Sequence, residues 1–275
     1  MKHPLLIGGC PRSGTTALLQ VLNSDPQVHV TSEENLMKLV RDLRAPLGTR
    51  ERRARTLING MRALSERETL TEDNIHSHNF TGESLWPVVR YLYRWHHQQL
   101  HPGQTLKLWG DKFPGYAAQA AEIAALPGIR YVHLTRCPLD VVDSMLRRTE
   151  MAKQGRDWWR AITDFDAMLA AWVEAWESIR RIEGRANVLH IHYEELAFEF
   201  DATLRRLAAF AGVALECTDT MVSEPARHFE RRYLDAAQRA RIVACPAVRA
   251  YAESLPDAAR RAWDHREPGP GGGGR

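Results

Sequence analysis

Residues 4–16 read PLLIGGCPRSGTT. An apolar run leads into Gly9, four residues separate it from Gly14, and two hydroxyl residues, Thr15 and Thr16, follow. A Walker A loop has this outline: two glycines around four residues, a lysine that reaches the outer phosphates, and a Ser or Thr that holds magnesium. Here Thr15 stands where that lysine would be. The stretch predicts a buried strand, a loop whose backbone N–H groups face an anion, and a helix. It leaves two options open: an accidental likeness, or a loop for a phosphate-bearing ligand whose chemistry needs neither that lysine nor a metal.

Strand and helix patterns alternate along the chain. After the first strand at Leu5–Gly8 and its helix come a strand in QVHVTS (27–32) and helical spacing in EENLMKLVRDL (33–43). A charged helix is predicted over 50–68, and helical periodicity resumes in GESLWPVVRYLYRWHHQQL (82–100). TLKLW (105–109) reads as a strand closed by the turn GDKFPG, followed by the alanine-rich helix YAAQAAEIAAL (116–126). IRYVHLT (129–135) is the clearest strand and runs into a helix with Pro138 in its first turn. A long helix over 158–183, a strand NVLHIHY (187–193) and a helix DATLRRLAAFAGV (201–213) complete the alternation. This pattern predicts an α/β fold, a parallel sheet covered by helices on both faces. One domain is expected over residues 1–266, ending in helices, with a flexible glycine-rich tail at 267–275.

The totals exclude several classes. The chain has 275 residues and is 44% hydrophobic, enough for a sizeable core. Lys plus Arg outnumber Asp plus Glu by 37 to 34, so a formal charge of +3 gives no reason to expect a nucleic-acid partner. The cysteines at 10, 137, 217 and 245 form no metal-ligand spacing, and a reducing cytoplasm is the simplest reading. The N-terminal apolar run is short for a signal peptide, and no stretch approaches membrane-spanning length. The histidine groups HSH, HH and HIH lack accompanying carboxylates, so no metal site is predicted.

In such a sheet, ligands sit beyond the carboxyl ends of the strands. Four loops there carry polar signals. The first holds Arg12, Ser13, Gly14, Thr15 and Thr16, and its plain alternative is a Ser/Gly turn with a capped helix. The second holds Glu33 and Glu34, either able to act as a general base, although Thr31 and Glu34 also match a capping box. The third, WGDKFP, places Lys112 just beyond a strand, with Asp111 as a turn stabiliser. The fourth has Arg136 at a strand end, Ser144 eight residues on and Arg148 one turn further along the same helical face. Two helical turns, about 12 Å, separate Ser144 from the helix start and suggest a second anion site. This strand also lacks the acid that a Walker B strand offers to magnesium, which speaks against an ordinary magnesium-dependent kinase or nucleotidase.

Taken together, these residues resemble the sulfotransferases that use 3′-phosphoadenosine 5′-phosphosulfate (PAPS), particularly bacterial proteins similar to tyrosylprotein sulfotransferases. The resemblance runs through most of residues 4–213 and implies a P-loop-type α/β fold with helical acceptor-side segments. It implies that Arg12, Ser13, Gly14, Thr15 and Thr16 bind the 5′-phosphosulfate, and that Arg136, Ser144 and Arg148 bind the 3′-phosphate. It further implies that Lys112 is catalytic, that Glu33 is the base, and that Tyr193, within HYEEL, lies near the adenine; by itself that tyrosine reads equally well as a half-buried strand end. The implied reaction is metal-independent transfer of a sulfuryl group to a hydroxyl or an amine, leaving 3′-phosphoadenosine 5′-phosphate (PAP). A small molecule, carbohydrate, lipid or peptide could be the acceptor. Cys137 departs from the pattern, standing where Asp or Asn is usual. Two rivals are a small-molecule kinase with a divergent loop and a non-catalytic nucleotide-binding protein.

Overall fold

A computed structural model of the chain describes residues 3–42, 85–157, 162–218 and 233–264. The helix predicted over 50–68, the opening of that predicted from 158 and the glycine-rich tail lie outside the described residues. Five strands form one sheet: β1 Leu5–Gly9, β2 Val28–Ser32, β3 Leu108–Lys112, β4 Arg130–Thr135 and β5 Val188–His192. Their spatial order is β2-β3-β1-β4-β5, and every pairing is parallel. The helices are α1 Thr15–Asn23, α2 Leu85–Leu100, α3 Ala120–Ala125, α4 Pro138–Lys153 and α5 Phe165–Arg180. After β5 come α6 Tyr193–Phe198, α7 Phe200–Ala211, α8 Ala236–Ala244, α9 Pro246–Glu253 and α10 Asp257–Asp264. Among the described residues no helix is long and apolar enough to cross a membrane.

Strand alternation sends successive side chains to opposite faces, and two cores result. Leu5 and Ile7 pack with Val28, Val30, Leu108, Val132 and Leu134 under α1 and α7. Leu6 packs instead with Trp109, Tyr131 and side chains of α2, α4, α5 and α9. Leu5, Leu6 and Ile7 are fully buried, each contributing roughly 1.5–3 kcal/mol. The predicted α/β fold with helices on both faces is the one observed.

Three local expectations are corrected. GDK is not a turn: β3 runs on through Lys112. Gly110 serves close packing here, because a Cβ at this position would stand 1.8 Å from the Leu5 carbonyl oxygen. The helix expected from 158 to 183 instead begins at Phe165, where the Asp164 carboxylate accepts from the Asp166 N–H and caps it. The strand expected to reach Tyr193 stops at His192, whose N–H donates to Glu195 at 2.9 Å and turns the chain into α6.

Because all strands are parallel, Gly9, Ser32, Lys112, Thr135 and His192 end along one edge. The strand order reverses at β1, with β3 on one side and β4 on the other. The crevice between those two directions lies at the PRSGTT loop, where a doubly wound sheet binds its ligand.

Candidate active site

Three glycine or left-handed positions shape the loop after β1: Gly9 at φ 148°, Arg12 at φ 73° and Gly14 at φ 94°. A left-handed non-glycine residue such as Arg12 costs about 1–3 kcal/mol and persists only where its surroundings hold it. The Ser13 N–H donates back to the Cys10 carbonyl at 3.1 Å. Ser13 is fully buried, yet its hydroxyl has no hydrogen-bond partner among the described residues. Gly14 occupies the N-cap of α1 and supplies no side-chain cap, so the capped-turn alternative fails. Thr15 is buried and Thr16 exposed at the first turn. An uncapped helix N-terminus beside an orphaned buried hydroxyl suits a bound anion.

The Arg12 side chain reaches α4, where Nε donates to Ser144 Oγ at 3.1 Å. Arg12 therefore spans the first loop and the R-x7-S segment, which the sequence spacing had separated. Burial lowers the proton affinity of Arg12, and nearby Arg148 and Arg136 lower it further, with Asp157 opposing them. Arg148 is held by Asp157 through a bidentate pair at 2.6 and 2.7 Å. Arg136 lies 3.7 Å from Asp140, and its guanidinium stands 4.6 Å from the centre of the Tyr193 ring.

Tyr193 is 5% exposed and packs so closely on the loop that a Cβ at Gly14 would meet its ring at 2.3 Å. It begins α6 and is neither a strand end nor half-buried. Its ring joins the Gly14 turn to Arg136. At Cys137 the backbone N–H donates to buried Glu194 at 3.1 Å, so a neighbouring element helps to hold this turn.

On the other side of β1, Lys112 is 2% exposed and its Nζ lies 2.8 Å from Glu33 Oε1. Burying an ammonium costs several kcal/mol unless it is paired, and Glu33 provides the pair. Glu33 itself is half exposed and stands at φ 67°. Its N–H donates to the Lys112 carbonyl at 2.7 Å, so backbone and side chain both join the two residues. Glu34 has no such approach to Lys112; its N–H donates to Asp111 at 3.2 Å. Thr31 and Glu34 form no capping box, because the helical run begins only at residue 36, with Asn35 accepting from the Lys38 N–H.

A model of the sulfotransferase family matches residues 4–217. This chain belongs to the sulfotransferase family. Protein-tyrosine sulfotransferase A of Caenorhabditis elegans is 23% identical over 212 residues, which cover 76% of this chain and 50% of that protein. The chain thus spans about half the length of that curated relative. A sulfotransferase crystal structure from Alicyclobacillus acidocaldarius shares the fold at a TM-score of 0.52 and 14% identity, covering 94% of this chain and 99% of that one. A mouse sulfotransferase, SULT7A1, complexed with PAP, aligns at a TM-score of 0.42 and 12% identity, over 97% of this chain and 83% of that one.

Sequence reasoning missed how the fold supports Glu33 and Lys112. Asp111, read as a turn stabiliser, is fully buried, accepting from Thr31 Oγ1 at 2.8 Å and from the Tyr116 hydroxyl at 2.6 Å. Tyr93 of α2 meets Thr31 at 2.5 Å. Burial, and with it the nearby Asp111 carboxylate, pushes the Tyr93 and Tyr116 phenols well up, keeping both as donors. A buried acid one residue before the lysine could have been suspected from the strand pattern, had GDK been read as strand.

Proposed function

We propose that this chain transfers the sulfuryl group of PAPS to a hydroxyl acceptor. The observation that carries the reading is the pairing of buried Lys112 with exposed Glu33 on the sheet edge that also gathers Arg12, Arg136 and Arg148. The fit to PAPS rests on the orphaned Ser13 hydroxyl and uncapped α1 for one anionic end, and on the arginines around Ser144 for the other.

PAPS supplies the sulfuryl group. Glu33, open to solvent, takes the proton of the acceptor hydroxyl as its oxygen forms the bond to sulfur. The bond from sulfur to the 5′-phosphate oxygen breaks, and the electron pair stays on that oxygen. Lys112 and Arg12 stabilise the developing charge there, assisted by the loop N–H groups. A sulfuryl group carries less charge than a terminal phosphoryl group, so side-chain cations suffice. An amine acceptor would use the same base, and a carbohydrate, lipid, phenol or peptide hydroxyl each fits the chemistry.

The test is calorimetric titration with PAP and with ATP in EDTA, on the wild type and on Arg136→Ala. Binding of PAP but not ATP, weakened about 10–100-fold by the substitution, is expected for a desolvated charge-assisted contact. No PAP binding, with ATP binding restored by magnesium, would overturn the reading in favour of a kinase.

A further inference from the structure

Residues 31–36 carry the proposed base through an awkward path. Glu33 and Asn35 both stand in the left-handed region, at φ 67° and 50°, and neither is glycine. Such a conformation persists only when its flanks are fixed. The flanks here converge on one side chain. The Glu34 N–H donates to Asp111 Oδ1, and the Leu36 N–H donates to the Tyr116 hydroxyl at 2.7 Å, which in turn donates to Asp111 Oδ2. Thr31, opposite Asp111 in the β2–β3 pairing, donates to Oδ1, leaving its oxygen to accept from Tyr93.

Among the described residues, every hydrogen-bond partner of the Asp111 carboxylate is a donor, which suits an acceptor-only side chain. An amide nitrogen in place of either oxygen would turn its hydrogens toward at least one of these donors. Alternation along β3 puts Asp111 and Lys112 on opposite faces, so Asp111 cannot touch the reacting groups from its buried position. It can only act through what it holds.

We infer that Asp111 is a positioning residue, fixing the two left-handed residues so that the Glu33 carboxylate meets Lys112 and the acceptor hydroxyl. This rests on the reading of Glu33 as the base. Asp111 clamps the backbone on the far side of Glu33, while the Lys112 carbonyl takes the Glu33 N–H on the near side. A shift of about 1 Å in a catalytic group can cost 100-fold in rate, so loosening the clamp acts on kcat.

The experiment compares Asp111→Asn, Glu33→Gln and the double variant in PAP release from PAPS, with the best hydroxyl acceptor from a screen or with water where none serves. PAP affinity is measured alongside by calorimetry. Asp111→Asn is expected to lower kcat about 100-fold, to leave PAP affinity within about threefold, and to cost nothing further in the Glu33→Gln background. An equal loss in both backgrounds, a rise in KM with kcat unchanged, or wild-type turnover would overturn the inference. Wild-type turnover by Glu33→Gln would instead remove the base itself, and the inference with it. Should Asp111→Asn fail to fold, Tyr116→Phe removes one clamp donor alone and is expected to show the same kcat-only signature at about tenfold; unchanged kcat there overturns the inference.

Discussion

The two sides of β1 solve opposite electrostatic problems. On the β4 side, burial lowers the proton affinity of Arg12 and neighbouring Arg148 and Arg136 lower it further, against opposition from Asp157, even though Arg148 is paired with Asp157 and Arg136 lies 3.7 Å from Asp140. On the β3 side, Lys112 has its own carboxylate at 2.8 Å, and the acid next to it in sequence is saturated by donors. Crowded cations that repel one another are relieved by an anion, so the first arrangement favours affinity. A paired lysine and a clamped loop gain little from anion binding alone. That arrangement favours geometry, which matters where charge moves.

The sharpest break in this comparison is a crossed pair of variants. Glu33→Gln is expected to lower kcat by 10²–10⁴ while PAP affinity changes less than about threefold. Arg136→Ala should do the reverse, with its larger effect on PAP binding. In energy the first loss is about 3–5 kcal/mol in the transition state. If both substitutions reduced affinity and turnover by similar factors, the division of labour between the two sides would be wrong.

Acid should weaken both sides. Burial holds His133 and His192 on the β4 side below the ordinary histidine range, as it does His29 on the β3 side, and His29 gives the β3 share. His29 of β2 is buried with Nε2 at 3.1 Å from His96 Nδ1, and its ring meets Tyr93 edge-on at 5.5 Å. Burial first, then His96, His97 and His101, push its pKa down to about 4. The folded chain therefore holds this ring neutral while the unfolded chain protonates it below about 6.5. Its contribution is complete above pH 6.5 and is lost as pH falls toward 4, on the order of 3 kcal/mol. Urea midpoints of wild type and His29→Gln from pH 7 to 4 check this. The wild type should lose more stability than the variant across that window; parallel curves would refute it.

How legible each side was follows from the range of its interactions. The PRSGTT loop, the R-x7-S helix and the strand alternation are local patterns, and the fold and most candidate residues could be read from them. Contacts across strands could not. Asp111 looked like a turn residue because Gly110 preceded it, and only the approach of the Leu5 carbonyl explains that glycine. Arg12, whose backbone is left-handed, reaches Ser144 across 132 residues, a contact that no spacing rule announces. Tyr193 looked like a strand end because the Glu195 reach-back that starts α6 is a side-chain event.

The smallest effect tests the affinity side at its least favourable joint. Cys137 is the N-cap of α4, directly after Arg136, and its side chain makes no cap hydrogen bond. Its carbonyl already accepts from the Asp140 and Val141 N–H groups, and Glu194 holds its own N–H. A serine hydroxyl is close to the thiol in size and is among the preferred N-caps, able to accept from a free first-turn N–H. Cys137→Ser should therefore stabilise the chain by about 0.5–1 kcal/mol, raising Tm by roughly 1–4 °C. PAP affinity should stay within about twofold, since Glu194 holds the backbone N–H of the turn beside Arg136. A lower Tm would mean that the buried thiol packs better than it caps. A change in PAP affinity would mean that residue 137 orients Arg136 after all, and that the affinity side also depends on finely held geometry.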